Sequence, residues 1–462
     1  MKPFSPVDIA SLAFFRVVFG ILGFADLMGV WTYYHLYKGY FDPEKFQFKY
    51  IGFEWARPLP EPFMSIVFVG LMAVALLIAL GRWYRACTAV FFVGFSYVFL
   101  LEKGLYLNHG YLFIWLSLIM FFLPANRQWS WDVLRNPALR SDKIQAWSVY
   151  ILPLMMGIVY VYGAIAKINA DWLLHANPLH DWIRGKDDMP LLGWLWAQKE
   201  TAYVMAWSGM LLDLTAPFFL LLRKTRPWVL GFILFFHLTN TLLFQIGIFP
   251  WLSIALSLLF FPPGWPRQAC AFAKQKMKWP NRVEDWWDRK MLANINAGGV
   301  QTFGSVVPPN YPQVWVKITL VALIAFHLLV PLRHWCFPGD VAWTEEGHRY
   351  SWRMMLRSKR GYGHFDIKNL QTGEVTKVAV EDYLTDRQRE KIFTHPDMVL
   401  QFAHYLRDLW HRRGVPEVAV HASVRASLNG RKTQPYIDAE VDLAKVEWTP
   451  FKASPWIMPL EK

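Results

Sequence analysis

The sequence predicts a polytopic α-helical membrane protein with about nine transmembrane helices and a C-terminal extramembrane α+β domain. Apolar residues make up 54% of the 462-residue chain and charged residues only 18%, whereas a soluble domain carries about 25% charged residues. Several apolar runs approach the roughly 20 residues that one bilayer crossing needs. After about residue 335 charged residues become frequent and the apolar runs shorten.

Nine apolar segments account for the predicted transmembrane helices, although several are short for a full crossing. They lie at about 9–30, 63–80, 86–101, 107–123, 147–166, 202–222, 228–243, 246–262 and 314–332. We therefore expect a transmembrane helical domain at residues 1–334, with a polar loop at about 263–313 on the side of the N-terminus. Residues 335–462 are expected to form the extramembrane domain.

Basic residues in the loops predict the orientation. Lysine and arginine are more frequent in the loops on the side of the N-terminus than in those on the other side. This bias predicts a cytoplasmic N-terminus and, after nine crossings, a C-terminal domain on the outer face. The net charge of +13 is then a property of the loops, and no nucleic-acid partner is expected. Because the chain lacks an Asn-x-Ser/Thr sequon, we expect a bacterial inner-membrane protein with a periplasmic C-terminal domain.

The C-terminal region alternates between strand and helix patterns. The stretch 365–380 predicts two strands around a turn at 371–373, 386–393 and 397–412 predict helices, and 417–427 and 436–441 predict further strands. Only three cysteines occur, at wide spacings, so the sequence indicates neither a disulfide framework nor a zinc site.

Lys167 ends the fifth apolar segment, in the string ILPLMMGIVYVYGAIAKINADW. In one interpretation it extends to the membrane interface and pairs with Asp171, four residues later. In the other it is a buried general base, since desolvation favours the neutral amine whereas a nearby carboxylate favours the charged form.

Other polar residues fall inside or at the ends of apolar segments, where ionisable groups are costly and mark function by default. They are Asn108 and His109 at the start of the fourth segment, His237 with Asn240 in the seventh, and His334 just past the ninth. The competing interpretation of each histidine is a hydrogen bond between helices. No HExxH or paired-carboxylate motif accompanies them, and no metal is expected.

Two further features allow a structural and a functional interpretation. Arg16 and Asp26 in the first segment are expected to form a structural pair or to anchor the helix end. The doublets Met155–Met156 and Met354–Met355 are typical of adaptable packing, but methionines also suit an apolar ring ligand such as a quinone.

Six strings, in order along almost the whole chain, resemble the vitamin K-dependent γ-glutamyl carboxylases. They are NHGYL at 108–112, KINADW at 167–172, FFHLTN at 235–240, LFQIGIF at 243–249, YSWRMM at 350–355 and VDLAKVEWTPFKASPWIMPL at 441–460. Each string alone is a weak match, whereas the set in register is specific.

The resemblance implies a coupled reaction at the membrane. Vitamin K hydroquinone, or menaquinol, is deprotonated, takes up O2 and yields a strong base while becoming the 2,3-epoxide. That base removes a γ-proton from a glutamate of a protein or peptide substrate, and the carbanion captures CO2. The implied partners are therefore a glutamate-containing polypeptide, the quinone and membrane lipid.

The resemblance also implies roles for residues of the transmembrane domain. Lys167 matches the initiating base, with Ala166 in place of the first lysine of the animal enzyme's doublet. His109, preceded by Asn108, matches the residue that hydrogen-bonds the oxygenated intermediate, and His237 and His334 have counterparts of less certain role. Positions associated with binding the quinone or the substrate are Phe249, Trp352, Met354, Met355, Trp448 and Trp456.

The chain departs from the family pattern in two places. Asn169 replaces an acidic residue beside Lys167. The disulfide between an outer loop and the C-terminal domain cannot form, because residues 31–62 lack cysteine and Tyr405 stands at the distal position. The outer domain is therefore expected to be held by packing alone.

Two other functions compete, namely a quinol epoxidase that does not carboxylate protein and a non-catalytic membrane scaffold or carrier.

Overall fold

The apolar segments form helices that pack into a bundle. The computed structural model describes residues 2–33, 42–277 and 312–461. The helices of this bundle and its loops are α1 Ala10–Tyr33, α2 Phe63–Leu80, α3 Tyr84–Leu100, α4 Asn108–Phe122, α5 Trp131–Arg135, α6 Trp147–Lys167, α7 Ala170–Leu173, α8 Leu179–Arg184, α9 Gly193–Trp196, α10 Lys199–Leu221, α11 Arg226–Leu243, α12 Phe249–Leu258, α13 Trp265–Met277 and α14 Gln313–Leu329.

Five of the described helices are long and apolar enough to cross a membrane. These are α1, α2, α6, α10 and α14, the last continued by a 3₁₀ turn at Val330–Cys336, whereas α3, α4 and α12 are apolar but shorter. A membrane protein is thus supported by length and composition, and the count of nine crossings stays a prediction. Most of the predicted loop at 263–313 lies outside the described residues.

The first two long helices cross closely. A Cβ added at Gly20 of α1 would lie 2.5 Å from the carbonyl oxygen of Ala75 in α2. Only a residue without a side chain allows the two backbones to approach this closely. The contact fixes α1 against α2 and leaves the opposite side of α1 free to line the interior of the bundle.

Arg16 and Asp26 do not form the predicted structural pair. The Arg16 guanidinium is fully buried and donates hydrogen bonds to four backbone carbonyls, at Ala125, Gln128, Ala79 and Trp129. It thereby satisfies the ends of α2 and α4 at the face where the N-terminus lies. Asp26, almost three turns further along α1, instead lines a cavity at the opposite end of the bundle.

The C-terminal region forms an antiparallel four-stranded sheet with helices on it. Its elements are α15 Val341–Thr344, β3 Lys359–Asn369, β4 Val375–Lys377, α16 Asp386–Ile392, α17 Pro396–Arg412, β5 Val418–Leu428 and β6 Gln434–Ile437, with strand order β4-β3-β5-β6. A two-stranded sheet of β1 Pro6–Asp8 and β2 Lys143–Gln145 lies at the other end of the molecule. The predicted strand–helix–strand order of this region agrees with these elements.

The amphipathic helix α17 covers one face of the sheet. Its buried side chains, among them Phe402 and Leu406, pack against Phe365 and Val420 of the two central strands. Burying such apolar side chains contributes about 1.5–3 kcal/mol each. The sheet and α17 thus have a hydrophobic core of their own, separate from that of the helical bundle.

The prediction that packing alone holds the outer domain is wrong. The Asp397 carboxylate accepts hydrogen bonds from Lys103, at the start of the loop before α4, and from Arg349, both at 2.7 Å. Arg431 pairs with Asp171, after α6, at 2.6 Å. Buried or half-buried ion pairs therefore connect this domain to two loops of the bundle, at the face opposite the N-terminus.

Neutralising Asp397 should destabilise the protein. Asp397→Asn leaves the buried charge of Lys103 and that of Arg349 without their carboxylate, and breaking a buried pair on one side costs about 3–5 kcal/mol. Unfolding followed by tryptophan fluorescence in detergent measures this loss. Asp386→Asn is the matched control, because the pair of Asp386 with Arg389 is at the surface and should contribute about 0–1 kcal/mol. Equal stability of the two variants would contradict the expectation.

The same carboxylate predicts how stability depends on pH. Burial alone raises the pKa of Asp397, but Arg349 and Lys103 outweigh burial and hold this pKa well below its usual range. A depressed pKa stabilises the fold above the pKa of the unfolded state, about 3.9, and the stabilisation is lost as pH falls through the folded-state pKa. The free energy of unfolding should therefore fall below about pH 4 more steeply in the wild type than in Asp397→Asn.

Candidate functional site

A cavity of about 850 Å³ lies in the bundle at the end that faces the outer domain. Its walls come from the second half of α1, the start of α4, the ends of α6 and α11, and the middle of α10. The segment at 353–355 and Arg387 of the outer domain also contribute. This volume lies in the range of small-molecule sites, about 300–1,000 Å³.

The central polar contact of the cavity joins α6 and α10. Lys167 Nζ lies 2.5 Å from Asp213 Oδ2, and the side chains are only 9% and 8% exposed. The same Nζ donates a 3.3 Å hydrogen bond to the carbonyl oxygen of Gly163, one turn earlier. The amine therefore points back into the cavity rather than outward to the membrane interface.

Gly163 shapes the space around this pair. A Cβ at Gly163 would lie 3.5 Å from Asp213 Oδ2 and 3.8 Å from both Lys167 Nζ and the terminal methyl of Met354. The absence of a side chain on this turn of α6 therefore lets the carboxylate, the amine and the methionine converge on one point of the cavity wall.

The predicted pairing of Lys167 with Asp171 is wrong. Helix α6 ends at Lys167, and Asn169 begins a new turn by accepting a hydrogen bond from Trp172 N. The four-residue spacing therefore does not place the two side chains on one helix face. Asp171 accepts hydrogen bonds from Arg431 and Asn429 of the outer domain.

His237 of α11 also lines the cavity and is almost fully buried. Its Nε2 is 3.2 Å from the hydroxyl of Tyr160, which in turn is 3.4 Å from Ser257 Oγ. Its Nδ1 is buried and has no hydrogen-bond partner within the described residues.

Asn108 and His109 begin α4 and line the cavity. Asn108 donates a 3.3 Å hydrogen bond to the carbonyl of Arg353 and accepts one of 3.0 Å from the Tyr106 hydroxyl. Asn108 thus connects the bundle to the segment that closes the cavity. Gly247 lies in the loop between α11 and α12 and has φ 60°. A Cβ added there would lie 3.5 Å from the His109 ring, so a residue without a side chain lets this loop lie against the imidazole.

The remaining walls are largely apolar. Phe249, Met354 and Met355, for which the resemblance implies binding of the quinone or the substrate, line the cavity together with Val159, Trp172, Trp182, Met205, Phe236, Phe244 and Ile248. Such a lining with a few convergent polar groups is the usual form of a site for an aromatic small molecule. The residues present therefore fit a quinone.

Four predicted site residues lie away from this cavity. His334 turns its Nδ1 to the carbonyl oxygen of Pro331, at 2.7 Å, and Trp352 is buried against Tyr111 in the core of the bundle. Trp448 and Trp456 pack against each other in the outer domain, with ring centroids 6.4 Å apart. None of the four is among the residues that line the cavity in the described part of the chain.

Sequence reasoning did not single out several cavity residues, of which Asp213 is the most consequential. The signal was available, since Asp213 stands alone in the apolar run MLLDLTAPF and a carboxylate inside a spanning helix marks a functional site by default. Asp26 lines the cavity, whereas its position in the first segment predicts a structural pair with Arg16 or an anchor of the helix end. Arg353 precedes the methionine doublet and also lines the cavity, but it is a basic residue outside the apolar segments, and no motif in the sequence marks it as a site residue.

The arrangement can hold and move a proton among largely apolar walls. The amine of Lys167 and the carboxylate of Asp213 share one contact beside His237. Charges in such surroundings interact more strongly than in water, and reactive species are protected from hydrolysis.

Comparison with known families identifies both parts of the chain. Residues 4–265, more than half of the chain, match the family model described as HTTM domain. Residues 312–462 match the model described as vitamin K-dependent gamma-carboxylase, lumenal domain. No solved structure matches the chain. The chain therefore belongs to the HTTM-domain family and is a protein of the vitamin K-dependent gamma-glutamyl carboxylase type.

Proposed function

We propose that this protein is a membrane enzyme that oxygenates a vitamin K-type quinol to its 2,3-epoxide and uses the reaction to carboxylate glutamate side chains of a polypeptide with CO2. The family supports a vitamin K-dependent carboxylase. The observation that carries the proposal is the buried contact of Lys167 with Asp213 on the wall of a quinone-sized apolar cavity.

The quinol, which is consumed as a co-substrate, supplies the reducing power and, after reaction with O2, the strong base. Lys167 starts the sequence by taking a proton at Nζ from a quinol hydroxyl. An amine suits this task only while it is neutral, and a dry site favours the neutral form. General-base catalysis of this kind contributes about 10²–10⁴-fold in rate.

The histidines hold the reacting ring in place. We assign to His109 a hydrogen bond to the oxygen-bearing part of the ligand, at the mouth of the cavity where the polypeptide substrate arrives. His237, whose Nε2 is held by the Tyr160 hydroxyl, lines the same cavity, and we assign to its ring a contact with the ligand. Two fixed contacts orient an otherwise apolar ring.

The apolar walls and the outer domain keep water from the reaction. Met354, Met355 and Phe249 cover the ring, and Asn108 ties the closing segment down through the carbonyl of Arg353. A carbanion formed beside water would be protonated before it met CO2. A closed apolar cavity prevents this loss.

A purified-protein assay separates the competing functions. The protein is supplied with a reduced naphthoquinone, O2, a glutamate-containing peptide and ¹⁴C-labelled bicarbonate. Epoxide together with label in the peptide is the result we expect. Epoxide without label would establish the quinol epoxidase instead, and the absence of both products would leave a scaffold or carrier.

The orientation is part of the proposal, because the peptide must reach the cavity from the side of the outer domain. Excess positive charge in the loops beside the N-terminus predicts a cytoplasmic N-terminus and an outer C-terminus. A C-terminal alkaline phosphatase fusion expressed in bacteria should be active, and a C-terminal fluorescent protein that matures only in the cytosol should be dark. A bright and phosphatase-negative pair of fusions would contradict the combination of a cytoplasmic N-terminus with an odd number of crossings.

The methionine doublet should contribute to quinol binding. Met354→Gln with Met355→Gln keeps side-chain length but replaces apolar cavity surface with polar amides, which costs about 1–3 kcal/mol when they lack partners. The quinol concentration for half-maximal rate should therefore rise about 5- to 100-fold. Met458→Gln, in the outer domain away from the cavity, is the matched control. An unchanged quinol dependence would assign the doublet to packing.

A further inference from the structure

The face of the outer-domain sheet opposite α17 carries two arginines beside an exposed tyrosine. Strands β3 and β5 are antiparallel, and Tyr362 lies directly opposite Arg425 in their register. Arg360 precedes Tyr362 by two residues, so both side chains leave β3 on the same face. All three residues are exposed, Tyr362 to 59%. Arg360, Tyr362 and Arg425 are called the basic patch below.

No carboxylate of the described residues neutralises the basic patch. Its two arginines form no ion pair within this part of the chain, whereas Arg349 and Arg357 of the preceding segment each contact a carboxylate. Strands β3 and β5 contain one acidic residue, Asp366, which lies further along β3 and is 3.2 Å from His364 Nε2. The two arginines of the patch are diagonal neighbours on adjacent strands, where like charges repel. The patch therefore suits an anionic partner.

The basic patch begins where the outer domain meets the bundle beside the cavity. The backbone nitrogen of Ser358 donates a 2.8 Å hydrogen bond to Asn429 Oδ1, and Asn429 Nδ2 donates one of 2.7 Å to Asp171 Oδ2. These bonds hold the start of β3 and the end of β5 at the loop that follows α6. Met355, which lines the cavity, lies only five residues before the first arginine of the patch. Five residues of chain span at most about 18 Å.

We infer that the basic patch docks an acidic stretch of the polypeptide whose glutamate reacts in the cavity. This inference rests on the proposed function, because it assigns a binding surface to the polypeptide substrate of that reaction. A span of about 18 Å corresponds to roughly five residues of extended polypeptide. Carboxylates about that far along the chain from the reacting glutamate should therefore reach the two arginines.

The composition of the patch favours a polypeptide with carboxylate side chains. A guanidinium binds a carboxylate through two parallel hydrogen bonds. Tyrosine and arginine are enriched in protein–protein interfaces, and an exposed tyrosine ring offers apolar area to the chain that lies over it. The patch thus combines charge recognition with a contact surface for backbone and side chains, next to the place where the glutamate has to enter.

A binding experiment without turnover tests the preference for acidic chains. One peptide contains a single glutamate with a pair of aspartates about five residues away on either side, and the matched peptide contains asparagines instead. Fluorescence anisotropy of labelled peptide gives Kd for the full-length protein in an uncharged detergent. The aspartate peptide should bind about 3- to 30-fold more tightly. This advantage should disappear near 1 M salt, where charges are screened within about 3 Å. Equal affinity of the wild type for both peptides at low salt would overturn the inference.

Variants of the patch locate the preference on the protein. Arg360→Gln with Arg425→Gln should bind the two peptides equally. Arg412→Gln with Lys452→Gln is the matched control, because it removes two exposed charges from other parts of the outer domain, and it should keep the wild-type preference. A preference that survives in the patch variant would overturn the inference, as would an equal loss in the control, which would make the net charge of the protein responsible.

Reversing the charge separates direct contact from a structural disturbance. Arg360→Glu with Arg425→Glu keeps long polar side chains at exposed positions and should prefer a peptide with lysines in place of the aspartates. A damaged surface would lose affinity without reversing its preference. If the reversed variant still bound the aspartate peptide more tightly than the lysine peptide, the docking site would lie elsewhere.

Anionic lipid headgroups also present oxyanions that arginines bind, and a membrane experiment distinguishes this source. Binding of the aspartate peptide is repeated in nanodiscs of phosphatidylcholine, with and without phosphatidylglycerol. The wild type should bind the peptide more tightly than the glutamine variant of the patch in both. Loss of this difference in the presence of phosphatidylglycerol would assign the patch to lipid and overturn the inference.

The carboxylation assay distinguishes failure of the inference from failure of the proposed function. The same peptides are incubated with the wild type, a reduced naphthoquinone, O2 and ¹⁴C-labelled bicarbonate. Label in both peptides with the same KM would support the carboxylase and remove the patch from substrate binding. No label in either peptide, together with tighter binding of the aspartate peptide, would contradict the proposed function and still support a docking surface for acidic polypeptides.

Discussion

Replacing Lys167 with alanine should abolish epoxide and carboxylated product together while the protein stays folded. One deprotonation precedes both products, so the two losses should be equal, at about 10²–10⁴-fold in rate. The activity should recover in part at high pH, because hydroxide in solution can then deprotonate the quinol. The assay measures epoxide by chromatography and ¹⁴C in the peptide from the same reaction.

Two further variants show whether the chemistry of the amine matters. Lys167→Arg should not restore activity, because a guanidinium stays protonated at any working pH. Lys199→Ala, which removes an exposed lysine at the start of α10, should remain fully active. If Lys167→Arg were as active as the wild type, Lys167 would serve only as a positive charge, and most of the functional proposal would be lost with it.

The elements of the fold were largely accessible from the sequence. Apolar runs and alternating patterns depend on each residue's own neighbours, and they located the helices of the bundle and the strands of the outer domain. The number of crossings was not accessible in the same way. Helix α12 has only ten residues, and an apolar run alone does not reveal whether such a helix spans a membrane or ends within the protein.

The candidate site was accessible only in part. The polar residues of the apolar segments were recognised one at a time, and the cavity brings together Asn108, His109, Lys167 and His237. Their arrangement depends on contacts across the bundle. Asp213 lies 46 positions from Lys167, and no local spacing predicts that α6 and α10 place these two side chains in contact.

The wrong partner of Lys167 illustrates the limit of local rules. A spacing of four residues predicts a pair only if one helix continues through both residues. Here α6 ends at Lys167, and the next turn begins at Asn169 with its own cap. Asp171 is thereby directed to Arg431, which is 260 positions away and belongs to the outer domain. The ion pairs that hold this domain were missed for the same reason.

The buried pair should have a large effect on stability when either partner is removed alone. Asp213→Leu leaves Lys167 without a counter-ion in an apolar wall, and Lys167→Met leaves the carboxylate of Asp213 in the same position. Each should lower the free energy of unfolding by about 3–5 kcal/mol, whereas the double replacement should be nearly neutral or stabilising by about 1–4 kcal/mol. Thermal unfolding of the purified protein in one detergent measures all three variants and the wild type.

This non-additivity has a definite physical source, namely the desolvated charge that each single replacement leaves behind. The matched pair for comparison is Asp386 with Arg389, since Asp386 is 88% exposed. Replacing Asp386, Arg389 or both should change the free energy of unfolding by about 0–1 kcal/mol, and the two changes should be nearly additive. If the losses at Lys167 and Asp213 instead added up in the double variant, the two groups would not depend on each other for charge balance.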